Sequence, residues 1–419
     1  MRVLYLAQHF PWPVVAGWQQ RVFHTARLIA RHHDTTLVTF AREPRSRGEA
    51  SALESHRQAL AAALGAEVRI VGDGDCGIRT TPTLDDWASA LANTVHLLDS
   101  PRPLFVRRWW SERLLAELRT MSGDAPDVVW ANRVWMAEHA SAAGLPRVVA
   151  DFDDICSEAK LAELRTMPVY TSKPLHYAHA LKARRYERDV ARRFARLVVC
   201  KAADREFFRS RDRARCDVVP NGVQLPTISG APPADTDQAP TLLFIGMLSY
   251  GPNVDAIRWL RTKILPAIWS RMPQVRLQLA GVGDPAEVLA IVGGESRISV
   301  AVGPEDLRPL YAAASLVVAP LRLGSGTRIK VLEALAHGKA LVSTPFAAGG
   351  ISLRADEEVV FADRTQAFAD ACVALLRDPA RRRALASAGR ARVAAEHTWD
   401  AVEPTVLRAL AEASEPVSV

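Results

Sequence analysis

The sequence predicts an α/β protein built as two open parallel-sheet domains facing a cleft. Three observations lead there. Short apolar runs alternate with stretches of helical period along almost the whole chain. The alternation breaks at residues 224–240 (QLPTISGAPPADTDQAP), where proline, alanine and small polar residues follow no period. The length, 419 residues, is ordinary for two or three domains.

Taken in order, residues 2–7 (RVLYLA) read as a buried strand, and Val22, Ala26 and Ile29 then recur at helical spacing before a second strand at 35–40. That is a β-α-β unit. Further strands are expected at 68–71, 127–130, 147–150 and 197–200, which carries the parallel pattern to about residue 222. The first domain is therefore placed at 1–223 and the linker at 224–240. Beyond the linker the alternation restarts, with strands at 242–245, 275–280, 298–302, 316–319, 340–343 and 359–362, so 241–400 makes a complete second sheet. Residues 380–413 read as terminal helices, and the last, 401–419, has the N-terminal domain as a candidate packing partner. In such domains the ligand lies at the carboxyl ends of the strands, here around the shared cleft.

Composition narrows the class. The cysteines Cys76, Cys156, Cys200, Cys216 and Cys372 are scattered and never spaced C-x-x-C, so neither a disulfide framework nor a zinc site is expected. A reducing cytoplasm fits that usage. The opening MRVLYLAQHFPWP has one basic residue and an apolar run too short for a signal sequence, and no run approaches a membrane span. The net charge of +7 suits an anionic partner: nucleic acid, a phosphorylated metabolite or an acidic membrane face. The densest basic stretch is LKARRYERDVARRFAR at 181–196, where Lys182, Arg184, Arg185, Arg188, Arg192, Arg193 and Arg196 outnumber Glu187 and Asp189. A solvated helix face is the expectation there. Only Leu181, Tyr186, Val190 and Phe194 offer apolar area for a membrane surface, so peripheral attachment at the inner membrane face is left open.

The chemistry concentrates after the strand at 316–319, in LRLGSGTRIKVLEALAHG. Gly324, Ser325, Gly326 and Thr327 open a helix whose early turns carry Arg328, Lys330 and Glu333. Glycines let the backbone approach an anion, free N–H groups at a helix start point toward it, and the helix dipole adds attraction. A pyrophosphate suits that arrangement. Arg328 offers a planar fork of donors and Lys330 a point charge for the negative charge that grows on a departing phosphate. A carboxylate at Glu333 cannot bind phosphate but can accept hydrogen bonds from ribose hydroxyls. A plain amphipathic helix, with Ile329, Leu332, Leu335 and Ala336 toward the core, would explain the apolar positions alone.

These residues carry a family likeness. GSGTRIKVLEALAHGKALVST resembles the donor-binding segment of the retaining glycosyltransferases of family 4 (group 1), which have the GT-B fold of two Rossmann-like domains. LYLAQHFPWPVVAGWQQRVFHTARLIA is similar to that family's glycine-bearing first loop and helix, and VVPNGV at 218–223 to its end-of-first-domain signature. LLFIGMLSYGPNVDAIRWL, VRLQLAGVG and VGPEDLRPLYAAASLVVAPLRLGSGTR continue the pattern in order. The resemblance implies that Glu333 holds the ribose, and that Arg328, Lys330 and the backbone of 324–327 hold the diphosphate or sugar. Gly246 and Gly303 belong to the same donor-binding set, and Gly17 approaches the diphosphate from the other domain. Three positions depart from the family pattern. Ser325 stands where a first glutamate often precedes Glu333 by eight residues, FIGMLSYGPN replaces a common Gly-Arg, and Ala16 precedes Gly17 where a second glycine is frequent. The resemblance further implies retention of anomeric configuration, with the leaving diphosphate helping to deprotonate the acceptor. No metal and no cofactor beyond the nucleotide sugar are then called for.

Weaker signals stand beside it. GVGDPA at 281–286 fits G-x-G-x-x-A but follows the second strand of its domain, so Asp284 and Pro285 are read as a helix start. DFDDICSEA at 151–159 places Asp151, Asp153 and Asp154 after a strand. Asp-x-Asp binds a divalent metal and the donor diphosphate in a different glycosyltransferase fold, but paired carboxylates beside a diphosphate without metal repel it, so these three are candidates for acceptor or sugar hydroxyl contacts, against a capping and turn role. Asn132 and Arg133, with Trp130, follow the strand DVVW and are candidates for the acceptor side, against loop packing. RPLFVRRWW at 102–110 is read as a helix start with buried tryptophans. His9 and His24 lack spaced partners and are assigned no chemistry.

The expected partners are a nucleotide-sugar donor and a glycan, glycolipid or small-molecule acceptor, with no nucleic acid. Two rivals differ in testable ways. An epimerase or inverting transferase on the same frame would be told by product configuration, or by product without acceptor. A non-catalytic basic protein for nucleic acid or acidic polymers would bind with steep salt dependence and ignore nucleotide sugars.

Overall fold

The computed structural model describes residues 1–14, 17–76, 100–166, 169–227, 239–324 and 329–415. The chain divides into two compact units, Met1–Pro220 with Val402–Val419, and Asn221–Ala401. Most of the expected linker, 228–238, lies outside the described residues.

Unit 1 is a parallel sheet of seven strands in the order β3-β2-β1-β4-β5-β6-β7. The strands are β1 (Arg2–Ala7), β2 (Asp34–Ala41), β3 (Glu67–Gly72), β4 (Val128–Asn132), β5 (Val148–Asp153), β6 (Arg196–Val199) and β7 (Cys216–Val218). In β1 every residue after Arg2 is buried, and so is every residue of β4 and β5. Burial on both faces is why these strands appear as continuous apolar runs rather than alternating ones. Six of the seven were expected. The seventh is three residues long and merges with the turn that follows, too short for a periodic signal.

Helix α1 (Gly17–Ala30) buries Val22, Ala26 and Ile29, the spacing noted above. Helix α2 (Arg47–Leu64) starts with an N-cap: Ser46 Oγ accepts the Glu49 N–H, and Glu49 reaches back past the cap to accept the Arg45 N–H at 2.6 Å. Helices α3 (Glu112–Thr120), α4 (Val134–Ala142), α5 (Cys156–Thr166) and α6 (Lys173–Val190) complete the layers used below.

The basic stretch is more heavily paired than a solvated face requires. Arg184 meets Glu158 at 2.7 Å, Arg193 meets Glu138 at 3.4 Å and Arg196 meets Asp217 at 2.7 Å. Glu187, counted with the surface charges, is fully buried, whereas Leu181 is exposed. The tryptophans 109 and 110 are half-buried rather than buried, with Arg108 and Arg102 over their rings. Trp130 lies within β4, not after it, and is inaccessible.

Unit 2 repeats the plan with six parallel strands in the order β10-β9-β8-β11-β12-β13. They are β8 (Thr241–Ile245), β9 (Arg276–Gly281), β10 (Ile298–Val302), β11 (Leu316–Ala319), β12 (Leu341–Ser343) and β13 (Val360–Phe361), each where a strand was expected. The helices are α7 (Gly251–Trp259), α8 (Ala286–Val292), α9 (Arg308–Ala313), α10 (Ile329–Ala336), α11 (Thr365–Arg377), α12 (Pro379–Glu396) and α13 (Trp399–Ser414). The last helix begins in unit 2, and its residues from Val402 onward belong to unit 1, where Glu403 pairs with His32 at 2.8 Å and Arg196 with Glu412 at 2.5 Å. Among the described residues, no helix is long and apolar enough to cross a membrane.

Candidate functional site

In unit 2 the strand order β10-β9-β8-β11 sets four carboxyl ends side by side, and each leads into a glycine. Gly303 follows β10, Gly281 ends β9, Gly246 follows β8, and Gly324 lies five residues beyond β11. Two of these glycines are closely packed, Gly281 against backbone and Gly246 against side-chain ends. A Cβ on Gly281 would stand 1.9 Å from the carbonyl oxygen of Gly246, and a Cβ on Gly246 would stand 2.6 Å from Lys330 Nζ. Gly303 and Gly324 are left-handed, with φ of +61° and +111°. The GVGDPA turn is thus explained by backbone approach, and Asp284 caps the start of α8 by accepting the Ala286 N–H at 3.0 Å.

Lys330 is the second residue of α10. Its ammonium group donates to Asn253 Oδ1 at 2.6 Å and sits 4.4 Å above the centre of the Phe244 ring. Asn253 is itself held by Met247, whose carbonyl accepts from its Nδ2 at 2.8 Å. A long flexible cation is therefore held at the end of β8, a hydrogen bond and a ring face being among its contacts. Glu333 lies about one helical turn farther on and is half-buried. The buried Tyr311 hydroxyl is pushed well above its ordinary pKa by burial and by the charge of Glu333. The Tyr311 ring stacks on His337 at 4.0 Å, and burial, then Arg390, pushes His337 down to about 4, so it is neutral at pH 7. Ser325, Gly326, Thr327 and Arg328 lie outside the described residues.

In unit 1 the acceptor-side candidates gather at the ends of β4 and β5, around an arginine that sequence reasoning did not single out. Arg21 of α1 is buried and forks onto Asp151 at 2.8 Å and 3.1 Å, with a third bond to the Val219 carbonyl at 3.0 Å. Arg133 meets Asp153 at 2.8 Å. Although burial opposes the charge on both arginines, Asp151 and Asp153 hold Arg21, and Asp153 holds Arg133, well above the ordinary guanidinium pKa. The register shifts between Asp151 and Asp153, and the Asp153 N–H turns back onto Asp151 Oδ1 at 3.0 Å. Asp153 and Arg133 both take left-handed backbone, with φ of +55° and +81°, a strain of roughly 1–3 kcal/mol each.

This geometry corrects part of the acceptor-side expectation. Asp151 is 0% exposed and both its oxygens serve Arg21, so it is a structural carboxylate and not a hydroxyl contact. Asn132 is buried as the last residue of β4. Asp153 is buried too and paired with Arg21 and Arg133, whereas Arg133 and Asp154 are half-buried. Asp153, Asp154 and Cys200 bring possible ligand atoms within 4.8 Å of one another, but Arg21 and Arg133 already balance the charge there. Gly17 is the first residue of α1.

Glu187 is the other residue that the sequence hid. From α6 it accepts the N–H groups of Cys156 and Ser157 at 3.0 Å and 3.2 Å and the Ser157 hydroxyl, capping α5 directly after Asp153 and Asp154. Burial nonetheless pushes its carboxyl up to about 7, from an ordinary 4.5. The folded state thus holds this proton more tightly than the unfolded one. Its contribution to stability is full below about pH 4.5 and is lost as pH rises through 7. Glu187→Gln is therefore expected to gain on wild type by about 2–3 kcal/mol between pH 5 and pH 8. Urea titrations at a series of pH values check this, and parallel curves would refute it.

Residues 239–378, within unit 2, match the family model described as Glycosyl transferases group 1. Unit 2 carries a group 1 glycosyltransferase domain. The group 1 match spans β8 to β13, hence all four glycine ends, Lys330 and Glu333. The whole chain has the GT-B fold, as solved structures of similar shape make plain. HepE of Anabaena in complex with UDP and glucose is 17% identical with a TM-score of 0.64, over 98% of this chain and 99% of that one. Sucrose-phosphate synthase of Thermosynechococcus elongatus is 17% identical with a TM-score of 0.65, over 97% of each chain. A glycosyltransferase of Rickettsia africae is 11% identical with a TM-score of 0.61, over 98% of each. Among curated sequences, an uncharacterised 44.6 kDa protein in the cps region of Klebsiella pneumoniae is 25% identical over 211 residues, 47% of this chain. The chain spans about half the length of that relative, 51%.

Proposed function

We propose that this chain transfers a sugar from a nucleoside diphosphate donor to a hydroxyl acceptor, with retention of configuration and without a metal. The observation that carries the proposal is the row of glycine ends at β10, β9, β8 and β11, with Lys330 fixed beside Gly246 and Glu333 one turn on, inside a group 1 domain. Glu333 takes the ribose hydroxyls. The backbone from Gly324, with Arg328 and Lys330, takes the diphosphate and stabilises the charge it acquires as the glycosidic bond breaks. Unit 1 takes the acceptor, whose hydroxyl passes its proton to the leaving diphosphate, so that no protein base is needed. A reducing cytoplasm suits five cysteines that are all unbridged. Uridine is the first base to try, because HepE is known in complex with UDP and with UDP-glucose. The similarity to a cps-region protein points toward polysaccharide or glycoconjugate synthesis.

The test is thermal unfolding with UDP, GDP, ADP and TDP in turn, on wild type and Glu333→Ala. One nucleotide is expected to raise the midpoint, by about 2.7 kcal/mol of stabilisation at a hundred times its dissociation constant. The variant is expected to lose most of that shift. No stabilisation by any nucleotide would sink the proposal, and an equal shift in the variant would remove Glu333 from the site.

A further inference from the structure

The helical hairpin between β5 and β6 carries a surface that nothing described so far uses. Its two arms, α5 and α6, enclose a small core of their own, Leu161, Leu164 and Ala180, with Tyr170 and Tyr177 packed against it. Helix α6 buries Ala180, Ala183, Glu187 and Val190, a stripe at helical spacing that supplies its packing. A second, apolar stripe runs beside the first. Pro174, Tyr177, Ala178 and Leu181 line one hollow at the start of the helix, together with Val169 from the turn before it. Among the described residues, Val169 at 92% and Leu181 at 54% are the two most exposed large apolar side chains, and both belong to this hollow. Apolar side chains gathered on one face, unlike the same residues scattered singly, mark an interaction surface.

The position differs from the one the sequence offered. Of Leu181, Tyr186, Val190 and Phe194, the last two are buried and the Tyr186 hydroxyl donates to Glu138 at 2.7 Å, so only Leu181 faces out. The apolar area lies instead toward the start of α6, and cations surround it. Lys173 lines the hollow, Arg165 is exposed at the end of α5, and Arg185, 88% exposed, stands one turn beyond Leu181 on the same side of the helix. Within residues 156–190 lysine and arginine number seven against four carboxylates. Those four do not cancel the rim. Glu187 is buried, Glu158 and Glu163 are taken up by Arg184 and Lys160 at 2.7 Å and 3.1 Å, and Asp189 is shared among Arg185, Arg192 and Arg209.

We infer that this end of the hairpin docks on a bilayer surface bearing anionic headgroups, with Val169 and Leu181 at the acyl boundary and Arg165, Lys173 and Arg185 among the headgroups. Such a surface offers both characters at once, negative charge at the headgroups and hydrocarbon just below them. Tyr170 and Tyr177, half-buried and amphipathic, suit the layer between. A second copy of this chain fits less well, because a two-fold contact sets the patch against itself and brings its cations together. A free polyanion pairs with the cations but leaves Val169 and Leu181 in water. The inference does not depend on the proposed transfer.

Co-sedimentation of the intact chain with vesicles tests it, using phosphatidylcholine alone and phosphatidylcholine mixed with phosphatidylglycerol, at about 0.1 M salt. Binding is expected to the mixed vesicles and at most weakly to the neutral ones. Val169→Ser together with Leu181→Ser is expected to weaken binding about tenfold or more, since each change removes an aliphatic side chain from the buried area. Arg185→Gln is expected to weaken it about fivefold, the share of one cation near an anionic surface. All three positions are exposed, and thermal melts of each variant exclude loss of the fold. No binding to the mixed vesicles, equal binding to the neutral ones, or binding that survives the serine pair would overturn the inference. So would a dimer in sedimentation velocity that the serine pair dissociates, which would assign the face to a second copy. Because no nucleotide is present, failure here leaves the UDP result untouched, and failure of UDP to bind leaves this result standing.

Discussion

Lys330→Ala is expected to lower turnover about 10²-fold or more, the loss seen when a donor that stabilises developing negative charge is removed. The expected size follows from how firmly the ammonium group is held. With Asn253 Oδ1 at 2.6 Å and the Phe244 ring beneath it, Lys330 has little reorganising to do as the diphosphate departs. Most of its attraction is then realised in the transition state, so kcat and kcat/KM should fall together, as for a contact made mainly there. Arg328→Ala should behave alike. Gly246→Ala offers a graded control, because the new Cβ would stand 2.6 Å from Lys330 Nζ and 2.7 Å from Asn253 Nδ2. Both are ends of mobile side chains and can shift, so a loss of about tenfold, smaller than that of Lys330→Ala, is expected. Steady-state rates with saturating nucleotide sugar measure all three, and near-wild-type turnover in Lys330→Ala would remove it from the chemistry.

Arg21→Met is expected to cost about 3–5 kcal/mol of stability, the loss that follows when one partner of a buried ion pair is stranded. Arg21 and Asp151 are 1% and 0% exposed, so water cannot replace the lost guanidinium. The bond to Val219 adds to the damage, since Arg21 ties α1 to the segment that ends unit 1. The double variant Arg21→Met with Asp151→Leu should recover a large part of the loss, because Asp151 is no longer stranded and Asp153 keeps Arg133. Guanidinium titrations of the three proteins supply the numbers. A single variant as stable as wild type would show that this carboxylate is solvated or protonated without its arginine.

The strand positions were legible because strands buried on both faces are written as unbroken apolar runs, and helices such as α1 carry their own period. The segment proposed to take the donor stood out for a related reason: Gly324, Lys330 and Glu333 are within ten residues of one another in the sequence. The same local logic failed at Asp151. A carboxylate beside an exposed-looking turn has the same sequence appearance whether it meets solvent or a buried arginine, and its partner stands 130 residues away.

What the sequence determined by itself, then, was two parallel α/β domains in order and a family likeness, both properties of contiguous segments. The tertiary structure decided which charges are spent on the fold and which remain for a ligand. It joined Arg21 to Asp151 and Glu187 to the start of α5. The physical reason is that burial and charge pairing depend on distance in space, and parallel strands joined by helices bring together residues that the chain holds far apart.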